Sequence, residues 1–167
     1  MTKGVGIILT GIVSLAHVGS VDTSAYSAPD SRVRVVVADT LRDIAVAVWD
    51  ARHPTIYLNP TRMQRVGPLL AQFFVAHEYG HLYHHDTRSY ALSADPETRD
   101  RLIQGRELQA DCFAATTLGT SDRAAVKAAV QFFARLGPRR FDREHPSGAQ
   151  RAAQLLACLP PQTPAGR

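Results

Sequence analysis

Three observations predict an α+β fold for this chain of 167 residues. Short, Val-rich or alternating apolar segments crowd residues 32–58. Gly-Pro and Asp-Pro pairs then open long stretches of helical character, and each later boundary carries a helix cap or stop rather than a hairpin turn.

Taken in order, Arg32 to Ala38 is rich in Val and reads as a strand, and Ile44 to Trp49 alternates as a second. Thr55 to Leu58 makes a third, closed by Asn59-Pro60. Gly67-Pro68 opens a helix expected from about Leu69 to His85, since Pro is favoured in a first turn. Asp95-Pro96-Glu97 supplies an N-cap, a first-turn Pro and an acid at the positive end of a second long helix, which should reach about Leu118. Ser121 is the expected cap of a third helix that stops at Gly137-Pro138. Ser147-Gly148-Ala149-Gln150 fits a capping box for a last helix to about Leu159, stopped by Pro160-Pro161. The expected architecture is a small three-stranded sheet packed on four helices.

The length suits one domain with a hydrophobic core. At 45% apolar and 20% charged residues, the composition is that of a folded chain. The formal charge of +4 raises the question of an anionic partner. All 19 basic residues except Lys3 and Lys127 are Arg, and they are scattered; the tightest cluster is Arg139, Arg140 and Arg143. No basic stripe with interleaved aromatics occurs, so no nucleic-acid partner is expected.

Lys3, an apolar run from Val5 to Val18, and small or polar residues through Ala28 resemble a secretory signal with cleavage near Ser20 or Ala25. The run is shorter than the roughly 20 residues of a membrane span. An uncleaved anchor would confine any membrane association to this terminus, and a buried first strand or helix is the alternative. The expected layout is a signal or anchor over 1–25, one folded domain over 26–160 and a tail over 161–167, in an exported protein of the periplasm, cell envelope or medium. In that setting Cys112 and Cys158 can pair across two C-terminal helices; otherwise they are two small buried apolar residues.

The chemistry sits in His77-Glu78-Tyr79-Gly80-His81, an HExxH pattern on a helix. Four residues advance an α-helix by about 400°, so both imidazoles leave one face and can share a tetrahedral metal. Glu78 lies one step round, where a carboxylate can act as general base toward water. Phe73, Phe74, Val75 and Ala76 lead into the motif and imply burial, which is costly for three polar residues unless they are paired or metal-bound. Gly80 costs about 1 kcal/mol relative to Ala inside a helix, which a close approach by another helix would explain.

A catalytic zinc takes three protein ligands. Thr87 occupies the position where a metzincin would carry its third His. His84 and His85 are nearby, but both suit the negative end of the helix better than the metal. Glu107 is the stronger candidate, with Asp111 one turn further on the same face, placed to accept the free ring N–H of a ligand His. Ala110 and Ala114 keep that helix slim where it must lie against Gly80.

HEYGH followed by ELQAD resembles the gluzincin metallopeptidases, in particular the HtpX-like, BepA-like and CAAX-prenyl-protease group. Those proteins also carry a downstream His-Pro before a helix start and an Arg, matched here by His145-Pro146-Ser147 and Gln150-Arg151. The resemblance spans about Arg32 to Leu159. It implies a zincin-like fold with one Zn2+ per chain, held by His77, His81 and Glu107, with Glu78 as catalytic base and Asp111 as the residue that orients a ligand. It places His145 near the metal, as a catalytic group stabilising the oxyanion or as a fourth ligand masking the ion. It implies a protein or peptide substrate cut by an endopeptidase; a non-catalytic or latent zinc protein that works through partners is the alternative. Where the family has a Gly-rich hairpin, this chain has Asp50-Ala51-Arg52-His53-Pro54. The ImmA/IrrE-type peptidases share an HExGH and a later acidic-Ala segment, but the His-Pro-Ser element and the apparent signal favour the first group. Ile44 to Trp49 is the candidate edge strand for an extended substrate, with Val46 as the point where a Pro would block it.

Overall fold

The computed structural model describes residues 32–50, 52–85 and 95–161. The expected signal over 1–25 and all but the first residue of the expected tail lie outside them. Strand β3 (Thr55–Leu58) is the middle of a three-stranded sheet. On one side β1 (Arg34–Val37) pairs with it in parallel, Arg34 opposite Thr55 and Val37 opposite Leu58. On the other side β2 (Ala45–Val48) runs antiparallel, Ala45 opposite Leu58 and Val48 opposite Thr55. Covered from both sides, β3 buries Thr55, Ile56 and Leu58, whereas β2 buries Ala45 and Ala47 and turns Val48 to water.

Strand β2 is an edge, as expected. The Asn59 N–H donates to the Ile44 carbonyl, so the bonded pairs of this ladder are Ile44 with Asn59, Val46 with Tyr57 and Val48 with Thr55. The N–H and C=O groups of Ala45 and Ala47 therefore face away from β3, toward the open side. A Pro at Val46 would break the bond to Tyr57 instead of blocking the edge, which corrects the sequence-based choice of position.

Among the described residues five helices follow the strands, not four. Asn59-Pro60 does more than end β3: it starts a short helix, α1 (Pro60–Val66). The Asn59 side chain accepts from the Arg62 N–H, and its amide donates to the carbonyls of Asp39 and Leu41. Asn before Pro reads equally as a strand-ending turn and as an N-cap, and seven residues are too few to display a helical period. Helix α2 (Pro68–His84) follows at Gly67, whose positive φ of 85° closes α1 and opens α2. Helix α3 (Pro96–Ser121) is capped by Asp95 and runs three residues beyond the expected end. Ser121 is its last residue and bonds back to the Thr117 carbonyl; the cap of α4 (Arg123–Leu136) is Asp122, which accepts from the Ala125 N–H. Helix α5 (Gly148–Cys158) has the expected capping box between Ser147 and Gln150.

Two apolar cores meet on α2. Ala71, Val75, Tyr79 and Leu82 pack toward the sheet with Ile56 and Leu58. Phe73, Phe74 and Ala76 pack toward the other helices with Ala114, Val126, Phe133 and Leu155. A helix enclosed on both sides needs apolar residues all round, and α2 is buried continuously from Phe73 to Leu82. Cys112 of α3 and Cys158 of α5 form a disulfide. No helix among the described residues is long and apolar enough to cross a membrane.

Candidate metal centre

Helix α2 meets α3 at Gly80, where an added Cβ would stand 2.8 Å from the Ala110 Cα. That contact brings His77, His81 and Glu107 to one point, each less than a tenth exposed. His77 Nε2 and His81 Nε2 are 3.1 Å apart. His77 Nε2 lies 3.2 Å from Glu107 Oε2, and His81 Nε2 lies 3.3 Å from Glu107 Oε1. Ligand atoms that bind one tetrahedral ion at about 2.0–2.1 Å stand roughly 3.3 Å from one another. Each pair of side chains approaches to about that edge length, the two histidines meeting different oxygens of the Glu107 carboxylate, and the cluster can hold a metal ion.

Buried acidic partners set the orientation and protonation of these groups. Asp111, fully buried, accepts from His77 Nδ1 at 3.0 Å, which fixes a proton on Nδ1 and aims Nε2 into the cluster, where it faces Glu107 in the metal-free protein and would present a lone pair to an ion once deprotonated. Burial works against charge on His77, but the hydrogen bonds to Asp111 and Glu107 outweigh it and raise its pKa. Glu107 shows the reverse balance: burial disfavours its charge, and both histidines hold it far below the usual carboxylate range. Two imidazoles and a carboxylate, stripped of water and held in contact, form a donor set suited to a divalent ion.

Arg151 is the residue that the sequence reading undervalued. In the sequence it enters only through the family resemblance, yet its guanidinium is buried against Asp111, with Nε to Oδ2 at 2.8 Å and Nη2 to Oδ1 at 2.6 Å. It also lies 4.1 Å over the Phe133 ring. Burial opposes the Asp111 charge, and Arg151 outweighs that opposition and keeps Asp111 ionised well below its ordinary pKa. The available signal is that Arg151 is the one charged residue of this helix, one turn from Leu155.

Glu78 points elsewhere, toward the edge strand. Its Oε2 accepts from the Ala47 N–H at 2.6 Å, one of the groups that β2 turns to its open side. Burial raises the Glu78 pKa, aided by repulsion from Glu107 and opposed by the two histidines. His145 stands at the rim, with Nδ1 2.8 Å from Asp142 Oδ1 and Nε2 3.7 Å from Glu107 Oε2. It approaches the cluster without joining the three-residue group. His84 and His85 are exposed and outside that group; His85 stacks on Trp49 at 4.0 Å.

Comparison with family models, curated proteins and solved structures gives no significant match to the chain.

Proposed function

We propose that the chain is a zinc-dependent endopeptidase of the gluzincin type, with a zincin-like fold. The observation that carries this reading is the cluster of His77, His81 and Glu107 with Glu78, from the same helix, set against the edge strand β2. The donor set suits zinc, which binds His nitrogen and Glu oxygen in sites of three protein ligands. When bound, zinc supplies Lewis-acid activation of water and of the substrate carbonyl.

The chain's own groups account for the rest. Asp111 fixes the His77 tautomer, and Arg151 fixes Asp111, so the ligand ring is aimed before any ion arrives. Glu78 is buried, with its pKa raised, which suits a carboxylate that takes a proton from water and delivers it to the leaving amine. A substrate strand lying along β2 would compete with Glu78 for the Ala47 N–H, freeing the carboxylate as the peptide is positioned. His145, oriented through Asp142, would donate from Nε2–H toward developing negative charge when the ring carries both protons. The disulfide supports an exported protein, because such bonds persist in oxidising compartments.

The nearness of His145 to Glu107 also favours a second reading, a latent form in which His145 caps the metal. The decisive comparison uses an unfolded casein-type substrate. Glu78→Gln should bind about one zinc per chain and lose cleavage by roughly 100-fold or more; undiminished cleavage would remove Glu78 from the chemistry. His145→Ala should slow cleavage if His145 serves the oxyanion and accelerate it if His145 masks the ion.

A further inference from the structure

Helix α2 presents two faces: His77 and His81 meet Glu107 of α3, and Tyr79 and Leu82 pack toward the sheet. Where β1 and β3 begin and β2 ends, this second face opens into a cavity of about 630 Å3. That is mid-range for small-ligand sites, which span about 300–1,000 Å3. It shares no lining residue with the cleft of about 320 Å3 beside His77, Glu78 and His145. The proposed chemistry leaves it unused.

Its walls are aromatic. Trp49, which follows β2, stacks on His85 with centroids 4.0 Å apart. Tyr83 meets Phe113 of α3 at 5.2 Å, and Tyr79 lies one turn before Tyr83 on α2. Tyr83 is 69% exposed, and Trp49 and Phe113 are half-buried. One exposed ring means little, but several that converge on one concavity make a contiguous apolar surface of the kind that marks a binding site.

The charge of the lining selects the ligand. Arg32 and Arg52 lie just before the parallel strands β1 and β3, and both line the cavity. None of its described lining residues is acidic. Asp50, two residues from Arg52, accepts the Arg52 backbone N–H and is not among them. Aromatic rings alone would suit a quaternary ammonium, drawn to the negative faces of their π systems. Two guanidinium groups reverse that preference: they repel a cation and can hold a carboxylate by paired, charge-assisted hydrogen bonds. The C-terminal carbonyls of α2 disfavour an anion beside Tyr83 and His85. The carboxylate therefore belongs on the strand side, with the apolar body of the ligand against the rings.

We infer that this cavity is a second ligand site, separate from the metal centre, and that it takes a small aromatic carboxylate. The inference goes beyond the peptidase reading and does not depend on it, since neither the ion nor Glu78 enters it.

Trp49 is the only tryptophan of the chain, so its fluorescence reports on this site. The full chain is titrated with 3-phenylpropanoate and with the alcohol and the amine of the same carbon skeleton; calorimetry gives a second readout. The acid should bind about 10-fold or more tighter than the alcohol, and the amine most weakly. Acetate, which has the charge without the ring, should bind at least about 10-fold more weakly than the acid. Combining Arg32→Gln with Arg52→Gln should bring acid and alcohol within about 3-fold of each other and leave the alcohol unchanged. Tyr83→Ala should weaken both by a similar factor. These three residues are exposed, and an unchanged Tm shows that each variant is folded. A carboxylate also binds metal ions, so the titration is repeated after EDTA treatment and dialysis, where the affinity should be the same. Binding that disappears with the metal would place the probe at the metal centre and overturn the second site. Equal affinities for acid, alcohol and amine, tightest binding by the amine, or no saturable binding by the acid would overturn it as well.

Discussion

Asp111 carries two loads at once: it orients His77 and neutralises Arg151. Asp111→Asn removes the counter-charge of a buried guanidinium, and breaking such a pair from one side costs about 3–5 kcal/mol. Chemical denaturation of the metal-free variant should show that loss, and competition with a chelator should show metal affinity lower by about 10–100-fold. Replacing Asp111 and Arg151 together with apolar residues should cost less stability than Asp111→Asn alone, while the affinity defect remains. The pH dependence has a definite sign. The folded Asp111 pKa is depressed, so its contribution is complete above the ordinary Asp value of about 3.9 and is lost as pH falls through the lower folded value. His77 acts oppositely in the metal-free protein. Its folded pKa is raised, so its contribution is present below about 6.5 and disappears as pH rises through the folded value. Metal uptake requires the neutral ring and should strengthen over that same rise.

Between elements, the closest approach is that of α2 to α3 at Gly80. Alanine there would gain about 1 kcal/mol of helix propensity. It would also push a methyl group against the Cα and carbonyl of Ala110, backbone atoms that cannot rotate away. Overpacking of this kind costs about 1–3 kcal/mol, so Gly80→Ala should be net destabilising. Because Gly80 lies between the two ligand histidines and opposite the helix of Glu107, the variant should also bind metal more weakly, measured by zinc content after dialysis. Unchanged Tm and zinc content would show that the helices can separate without cost.

Across the whole molecule, the disulfide ties α3 to α5, the two helices that carry Asp111 and Arg151. Closing a loop over a sequence separation of 46 stabilises the fold by about 4 kcal/mol in the chain-entropy account. Replacing Cys112 and Cys158 with Ala should lower Tm by many degrees. Glu107, His77 and His81 lie on α2 and α3, and α5 reaches them only through Arg151 and Asp111, so zinc stoichiometry at low temperature should stay near one. Loss of zinc in the folded double variant would mean that α5 holds the ligands as well as Asp111.

The sequence alone determined the pieces whose signals are local. The spacing of His77 and His81 fixes a shared helix face, Asp95 and Ser147 carry their caps in adjacent residues, and Gly80 with Ala110 announces a tight crossing. Short or ambiguous signals were lost: α1 hides behind Asn59-Pro60, and Asp122 competes with Ser121 for one cap. Only the tertiary structure decided what depends on distance across the fold. It set the outward register of Ala47 toward Glu78, the burial of Arg151 against Asp111, the pairing of Cys112 with Cys158, and the cavity that Trp49 and Phe113 share. Periodicity and capping act within a turn or two of the chain. Contacts between residues 31 to 74 positions apart depend on how whole elements pack, which no local pattern encodes.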